Sequence, residues 1–111
     1  MKFLMLVVVD PDLKNDEEGP VTIEQWVEET YGADKATDGD RLRPPAEAKT
    51  IRRRNGSVQV TDGPFAETRE WIAGFDILEC DSLDEAIEIA SRHPMATGGI
   101  IELRPSWPLD L

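Results

Sequence analysis

The sequence predicts an α+β fold: a split βαβ sheet with an inserted hairpin and two helices on one face. Three observations predict it. Along the 111 residues the elements read in the order β, α, β, β, β, α, β. Asn55-Gly56 stands between two short strand-like runs, a strong signal for a two-residue hairpin turn. The first and the longest apolar runs are apolar at odd and even positions alike, as expected of strands covered on both faces.

Each element follows from local chemistry. Lys2 to Val9 is the first strand, and Asp10-Pro11 stops it. Asp10 to Pro20 is a polar loop. Thr22 opens a helix, with Gln25 at the capping-box spacing and Gly32 placed to end it. Residues 33 to 48 read as loop, because Asp38-Gly39-Asp40 and Pro44-Pro45 are breakers. In the hairpin, Lys49 to Arg54 pairs with Ser57 to Thr61. A two-residue turn sets Ile51 opposite Val60 and Arg53 opposite Val58, leaving Arg52 and Arg54 on the other side.

Trp71 to Cys80 is the longest strand. Trp71, Ala73, Phe75 and Ile77 fall on one face, and Ile72, Gly74, Leu78 and Cys80 on the other. Ser82 caps a second helix with Glu85 at the capping-box position. Its apolar stripe is Leu83, Ala86, Ile87 and Ala90, and Pro94 ends it. Gly98-Gly99 turns the chain into a last strand, Ile100 to Arg104. The tail carries Trp107 between two prolines and is expected to be extended. Residues 1 to 111 therefore read as one domain, a ferredoxin-like sheet with an inserted hairpin. Two short helices cover only one face, so a second copy of the same sheet is the expected cover for the other, making a homodimer.

Composition bounds the function. A chain this long buries roughly two-thirds of the surface its unfolded form exposes, enough for one core. The formal charge is −11, from 12 Lys and Arg against 23 Asp and Glu, which disfavours nucleic acid and anionic membranes. Arg41, Arg43, Lys49, Arg52, Arg53 and Arg54 are half of the cations. They are either a solvated strand surface or a site for an anionic ligand or acidic partner. The single cysteine, Cys80, excludes an internal disulfide and suits a reducing compartment, and it reads as a buried thiol. The apolar start is too short for a membrane span and lacks the form of a signal peptide, so a cytoplasmic protein is expected. No phosphate loop, metal-spaced cluster or nucleophile elbow is present, so neither metal nor cofactor is expected.

The run Val60-Thr61-Asp62-Gly63-Pro64-Phe65-Ala66-Glu67-Thr68-Arg69-Glu70 resembles the signature of the DGPF-type, YCII-related proteins, with Arg69 where Lys is commoner. Leu42-Arg43-Pro44-Pro45, Gly74-Phe75, Ser82-Leu83-Asp84-Glu85-Ala86 and the segment from His93-Pro94 to Arg104-Pro105 extend the resemblance over about residues 41 to 105. The resemblance implies a ferredoxin-like fold that dimerises into an α+β barrel. It also implies kinship with small enzymes that isomerise or dehalogenate ring compounds, and with proteins linked to alternative sigma factors. More distant members carry a His and Asp pair thought to be catalytic. The only histidine here is His93, where a cation would favour the end of the second helix.

Asp62 to Glu70 is the candidate site. Asp62-Gly63-Pro64 is a turn by its own chemistry, and Phe65 is expected in the core. Glu67, Thr68 and Glu70 add more polar groups than a turn requires. Two functions stand side by side. In one, the protein is an enzyme or binder of a small anionic or ring-shaped molecule. Asp62 and Glu67 are its acid–base groups, in lyase or isomerase chemistry. Arg52, Arg54, Gly63, Pro64, Phe65, Thr68, Glu70 and His93 surround the ligand. In the other, it is a non-enzymatic accessory protein that docks on a partner, with Trp107 at the contact.

Overall fold

The computed structural model describes residues 1–14 and 17–110. Residues 15 and 16, within the expected polar loop, and residue 111 lie outside the described residues. The main sheet holds four antiparallel strands in the order β2-β5-β1-β6: β1 Lys2–Val9, β2 Ala36–Arg41, β5 Trp71–Glu79 and β6 Ile100–Pro105. Strands β3 Lys49–Arg54 and β4 Ser57–Asp62 pair only with each other. Helices α1 Ile23–Tyr31 and α2 Leu83–Arg92 lie on one face, and a short α3, Pro94–Gly98, leads into β6.

Helix caps form where the sequence places them. Thr22 Oγ1 accepts from Gln25 N at 3.2 Å, and Gln25 Oε1 accepts from Thr22 N at 2.9 Å, closing a full capping box. Ser82 Oγ accepts from Glu85 N at 3.1 Å, while the Glu85 carboxylate accepts from Asp81 N. Gly32 ends α1 with ordinary right-handed backbone, and the left-handed residue after it is Asp34, at φ 58°.

Three expectations need correction. Residues 33 to 48 are not all loop, because β2 occupies Ala36–Arg41. Its sequence is polar because it is an edge strand with one uncovered face, so only Ala36 is buried. Pro94 does not simply stop a helix. It opens α3 at the first turn, where a missing N–H costs nothing. Ile72 does not share a face with Leu78. The pairing runs Val7 to Gly74 and then Val8 to Ile72, so β5 bulges at Ala73 and turns Ile72 to the face of Leu4, Leu6 and Val8.

The core sits between the sheet and α1 and α2. Phe3, Met5, Leu78 and Cys80 meet Trp26, Ala86 and Ala90 there. Trp26 donates its indole N–H to Ile89 O at 2.9 Å, so the largest core side chain is satisfied. Burial pushes the Cys80 thiol up, which keeps it protonated and unreactive. The other sheet face, centred on Leu4, Leu6, Phe75 and Ile77, is covered by none of the described helices and stays partly exposed.

The hairpin register is the expected one: Ile51 faces Val60 and Arg53 faces Val58. Asn55 and Gly56 take φ 52° and 79°, the left-handed pair a two-residue turn needs. Its apolar side does not turn to the protein body, since Ile51 is 68% and Val60 59% exposed, and Arg52 is the less exposed neighbour. Among the described residues nothing buries that side, so periodicity alone could not decide its burial.

Candidate functional site

A cavity of about 820 Å³ opens where the hairpin joins the main sheet. One wall is Leu42 to Ala48, stiffened by Pro44-Pro45 and a single 3₁₀ turn over Pro45–Glu47. The opposite wall is Gly63 to Ile72. The walls are tied at the hairpin base, where Gly63 N donates to Ala48 O at 2.7 Å and the Thr50 hydroxyl donates to Gly63 O at 2.8 Å. At the far end Leu42 N donates to Ala73 O at 2.8 Å. Gly63 stands at φ 94°, a left-handed conformation that a Cβ would strain. The shape therefore follows from two prolines and one glycine, which are local, and from three hydrogen bonds that join segments distant in the chain.

The lining is largely apolar, from Leu42, Pro44, Pro64, Phe65, Trp71 and Ile72, with Glu67, Thr68 and Glu70 as polar groups. Arg43 and Glu47 pair with each other at 3.5 Å on the proline wall. Phe65 is not in the core: it is 84% exposed at the cavity mouth. The turn at Gly63-Pro64 directs it away from the sheet, so an aromatic residue after a turn was not a core signal.

The structure brings Gly63, Pro64, Phe65, Glu67, Thr68 and Glu70 together around this cavity. It sets Asp62, Arg52, Arg54 and His93 outside it. The Asp62 side chain is 82% exposed and pairs with Lys49 across the hairpin. Arg54 donates to the carbonyl of Arg53 near the hairpin tip. Arg69 points the other way and grips Asp12 with both arms of its guanidinium, Nε to Oδ2 at 2.8 Å, tying the turn to the loop after β1. Thr68 turns its hydroxyl onto Glu70 O.

His93 is a core residue, 5% exposed. Its Nδ1 accepts from Met95 N at 3.0 Å, and its ring meets Trp26 edge-on at 4.7 Å. It caps the start of α3 as a neutral acceptor, and burial holds its pKa below the usual imidazole value. That overturns the expectation of a cation on the end of α2.

Sequence reasoning left two features out. One is the proline wall as part of the site, for which Pro44-Pro45 beside the hairpin was the available signal. The other is Asp76, the only acid between Trp71 and Leu78 of β5. Its carboxylate accepts from the Tyr31 hydroxyl at 2.5 Å. Burial raises the Asp76 pKa, the Tyr31 hydrogen bond offsets part of that, and the same burial and pairing push the Tyr31 phenol up. Gly39 lies beside them on β2, where a Cβ would overlap both oxygens. The pair fastens the edge strand and opens on no cavity described above.

Among the described residues no three of His, Cys, Asp and Glu are grouped to hold a metal ion. No described helix is long and apolar enough to cross a membrane.

A family model described as the YCII-related domain matches residues 1–110. An uncharacterized protein of Rhizobium meliloti (strain 1021) is 45% identical to the chain over 67 residues, 59% of this chain. The aligned stretch spans 54% of that relative, about half its length.

Proposed function

Because the chain belongs to the YCII-related domain family, we propose that it binds a small, ring-shaped molecule in the cavity between the Pro44-Pro45 wall and the Asp62–Glu70 turn. We take it to act as a homodimer of ferredoxin-like sheets closed into an α+β barrel. The observation that carries the ligand reading is the lining: a stiff-walled, mostly apolar space with Glu67 and Glu70 as hydrogen-bond acceptors. That lining favours a ring bearing a donor over an anion, because Arg43 is already paired with Glu47 and Arg52 and Arg54 stand elsewhere. If the bound molecule is transformed, Glu67 is the group placed to move a proton, in lyase or isomerase chemistry. Asp62 serves the turn through Lys49.

The dimer rests on the strand order β2-β5-β1-β6 and on the apolar sheet face that no helix covers. Leaving each such side chain wet costs roughly 1.5–3 kcal/mol. The buried, unpaired Cys80 suits a reducing, cytoplasmic setting. The second function, docking on a protein partner, draws on Trp107, which is 94% exposed between two prolines.

The ligand test is a fluorescence and NMR titration with a panel of substituted mono- and bicyclic aromatics, Trp71 serving as the internal probe. Ala66→Trp, which fills the cavity, should abolish binding, and Glu67→Gln should weaken it about tenfold with the melting temperature unchanged. Asp62→Asn should lower stability and leave binding alone. Equal binding by the Ala66→Trp variant would defeat the cavity reading. Sedimentation showing only monomer at micromolar concentration would defeat the dimer.

A further inference from the structure

Glu67 and Glu70 stand in the cavity wall with no cation to answer them. The lining holds three acids, Glu47, Glu67 and Glu70, against one base, Arg43. Arg43 pairs with Glu47 at 3.5 Å. The next cations along the two walls are engaged as well. Lys49 pairs with Asp62 across the hairpin base, and Arg69, between Thr68 and Glu70, reaches out to Asp12. Among the described residues the carboxylates of Glu67 and Glu70 accept no hydrogen bond and form no ion pair. In a chain of charge −11 that leaves this wall at negative potential.

The surfaces beside those carboxylates are aromatic and apolar. Phe65 is 84% exposed at the cavity mouth, where it serves no core of its own chain, and Trp71 is half-buried in the lining. The face of an aromatic ring is negative and attracts a cation, more strongly where water is displaced. Leu42, Pro44, Pro64 and Ile72 supply apolar surface around them. A metal ion does not suit such a space. Among the described residues no three ligands are grouped to hold one, and apolar walls cannot replace its water. A cation that brings its own apolar body meets every part of the lining.

We infer that the molecule this cavity takes is an organic cation, a ring carrying a protonated or quaternary amine. Its charge lies toward Glu67 and Glu70 and against the faces of Phe65 and Trp71, and its body fills the apolar recess. This rests on the cavity reading above and adds the charge of the ligand. The same two glutamates repel carboxylates and phosphates, so the site selects by charge as well as by shape.

Four benzyl probes test it: benzylamine, benzyltrimethylammonium, benzyl alcohol and phenylacetate. NMR signals of the Trp71 indole and of the amides from Gly63 to Glu70 read the binding. Both cations should bind at least about fivefold tighter than benzyl alcohol, which donates a hydrogen bond without a charge, and phenylacetate should bind least. Glu67→Gln with Glu70→Gln should bring the ratio of amine to alcohol affinity close to one. Glu88→Gln with Asp110→Asn removes the same charge outside the cavity lining and should leave the ratio as it was. Absence of binding by all four probes and by the aromatic panel sinks the cavity reading and this inference together. Benzyl alcohol or phenylacetate binding as tightly as benzylamine overturns the organic cation alone. So does a ratio that survives the loss of both glutamates, or one that falls equally in the Glu88 and Asp110 variant. Should the Glu67 and Glu70 variant fail to fold, Phe65→Leu decides, since it keeps apolar surface and removes a ring face. The lead of benzyltrimethylammonium over benzyl alcohol should then shrink about threefold, and an unchanged lead overturns the inference.

Discussion

His93 is a neutral group in a dry place, and its environment makes a pH prediction. Burial lowers its pKa in the folded chain, while the unfolded chain keeps the ordinary value of about 6.5. As pH falls below ~6.5, the unfolded state takes up the proton and the folded state resists it, so stability is full above that pH and declines below it. Urea unfolding between pH 7.5 and 5 should show this slope. His93→Asn keeps a capping oxygen and should flatten it. Tyr31 and Asp76 make a second prediction. Tyr31→Phe leaves a half-buried carboxylate without its donor and should cost about 1–3 kcal/mol in urea unfolding. Asp76→Asn keeps an acceptor and carries no charge to desolvate, so it should cost less at neutral pH. A larger loss in Asp76→Asn than in Tyr31→Phe would mean that the carboxylate has a further partner.

At the scale of elements, the helices are set by their ends and the hairpin by its turn. Thr22→Ala opens the capping box of α1 and should cost about 1 kcal/mol, read by urea unfolding. Gly56→Val strains a residue at φ 79°. Because the hairpin pairs with no other described strand, that strain should speed amide exchange in β3 and β4 and leave the exchange of β1 and β5 unchanged. Slowed or equal exchange in the hairpin would show that the turn does not hold it. The register of this hairpin was legible from Asn55-Gly56 because it is a matter of two residues and alternation. Its exposure was not, because burial depends on what lies opposite. The same limit hid β2, whose polar Ala36–Arg41 run has no strand signature of its own and becomes a strand by pairing with β5.

For the whole molecule, the dimer proposal has a thermal consequence. A chain stabilised by its own copy unfolds at a higher temperature as its concentration rises, since association draws on the folded state. The melting temperature should therefore climb across a range from about 1 to 100 µM, and a flat dependence would argue for a monomer. The cavity beside the hairpin base is a whole-molecule feature too. Half of it, the Gly63 to Glu70 stretch, stands out in the sequence as polar groups beyond what a turn needs. The other half, the Pro44-Pro45 wall, joined it only through the Gly63 to Ala48 and Leu42 to Ala73 hydrogen bonds.

Local forces along the chain settle where its elements begin and bend. Thr22 and Ser82 start helices because their side chains satisfy free N–H groups. Asn55-Gly56 bends the chain because it accepts left-handed backbone. The runs Lys2 to Val9 and Trp71 to Glu79 are strands because apolar, branched residues fit a pleated surface. Packing between distant segments settles which face each strand shows and which polar group meets which. The bulge at Ala73 moves Ile72 to the open face, Phe65 swings outward past Pro64, His93 turns its imidazole in against Trp26, and Asp76 finds Tyr31 across 45 residues. Those outcomes depend on contacts between segments far apart in the chain, and a pattern read along the chain carries no term for them.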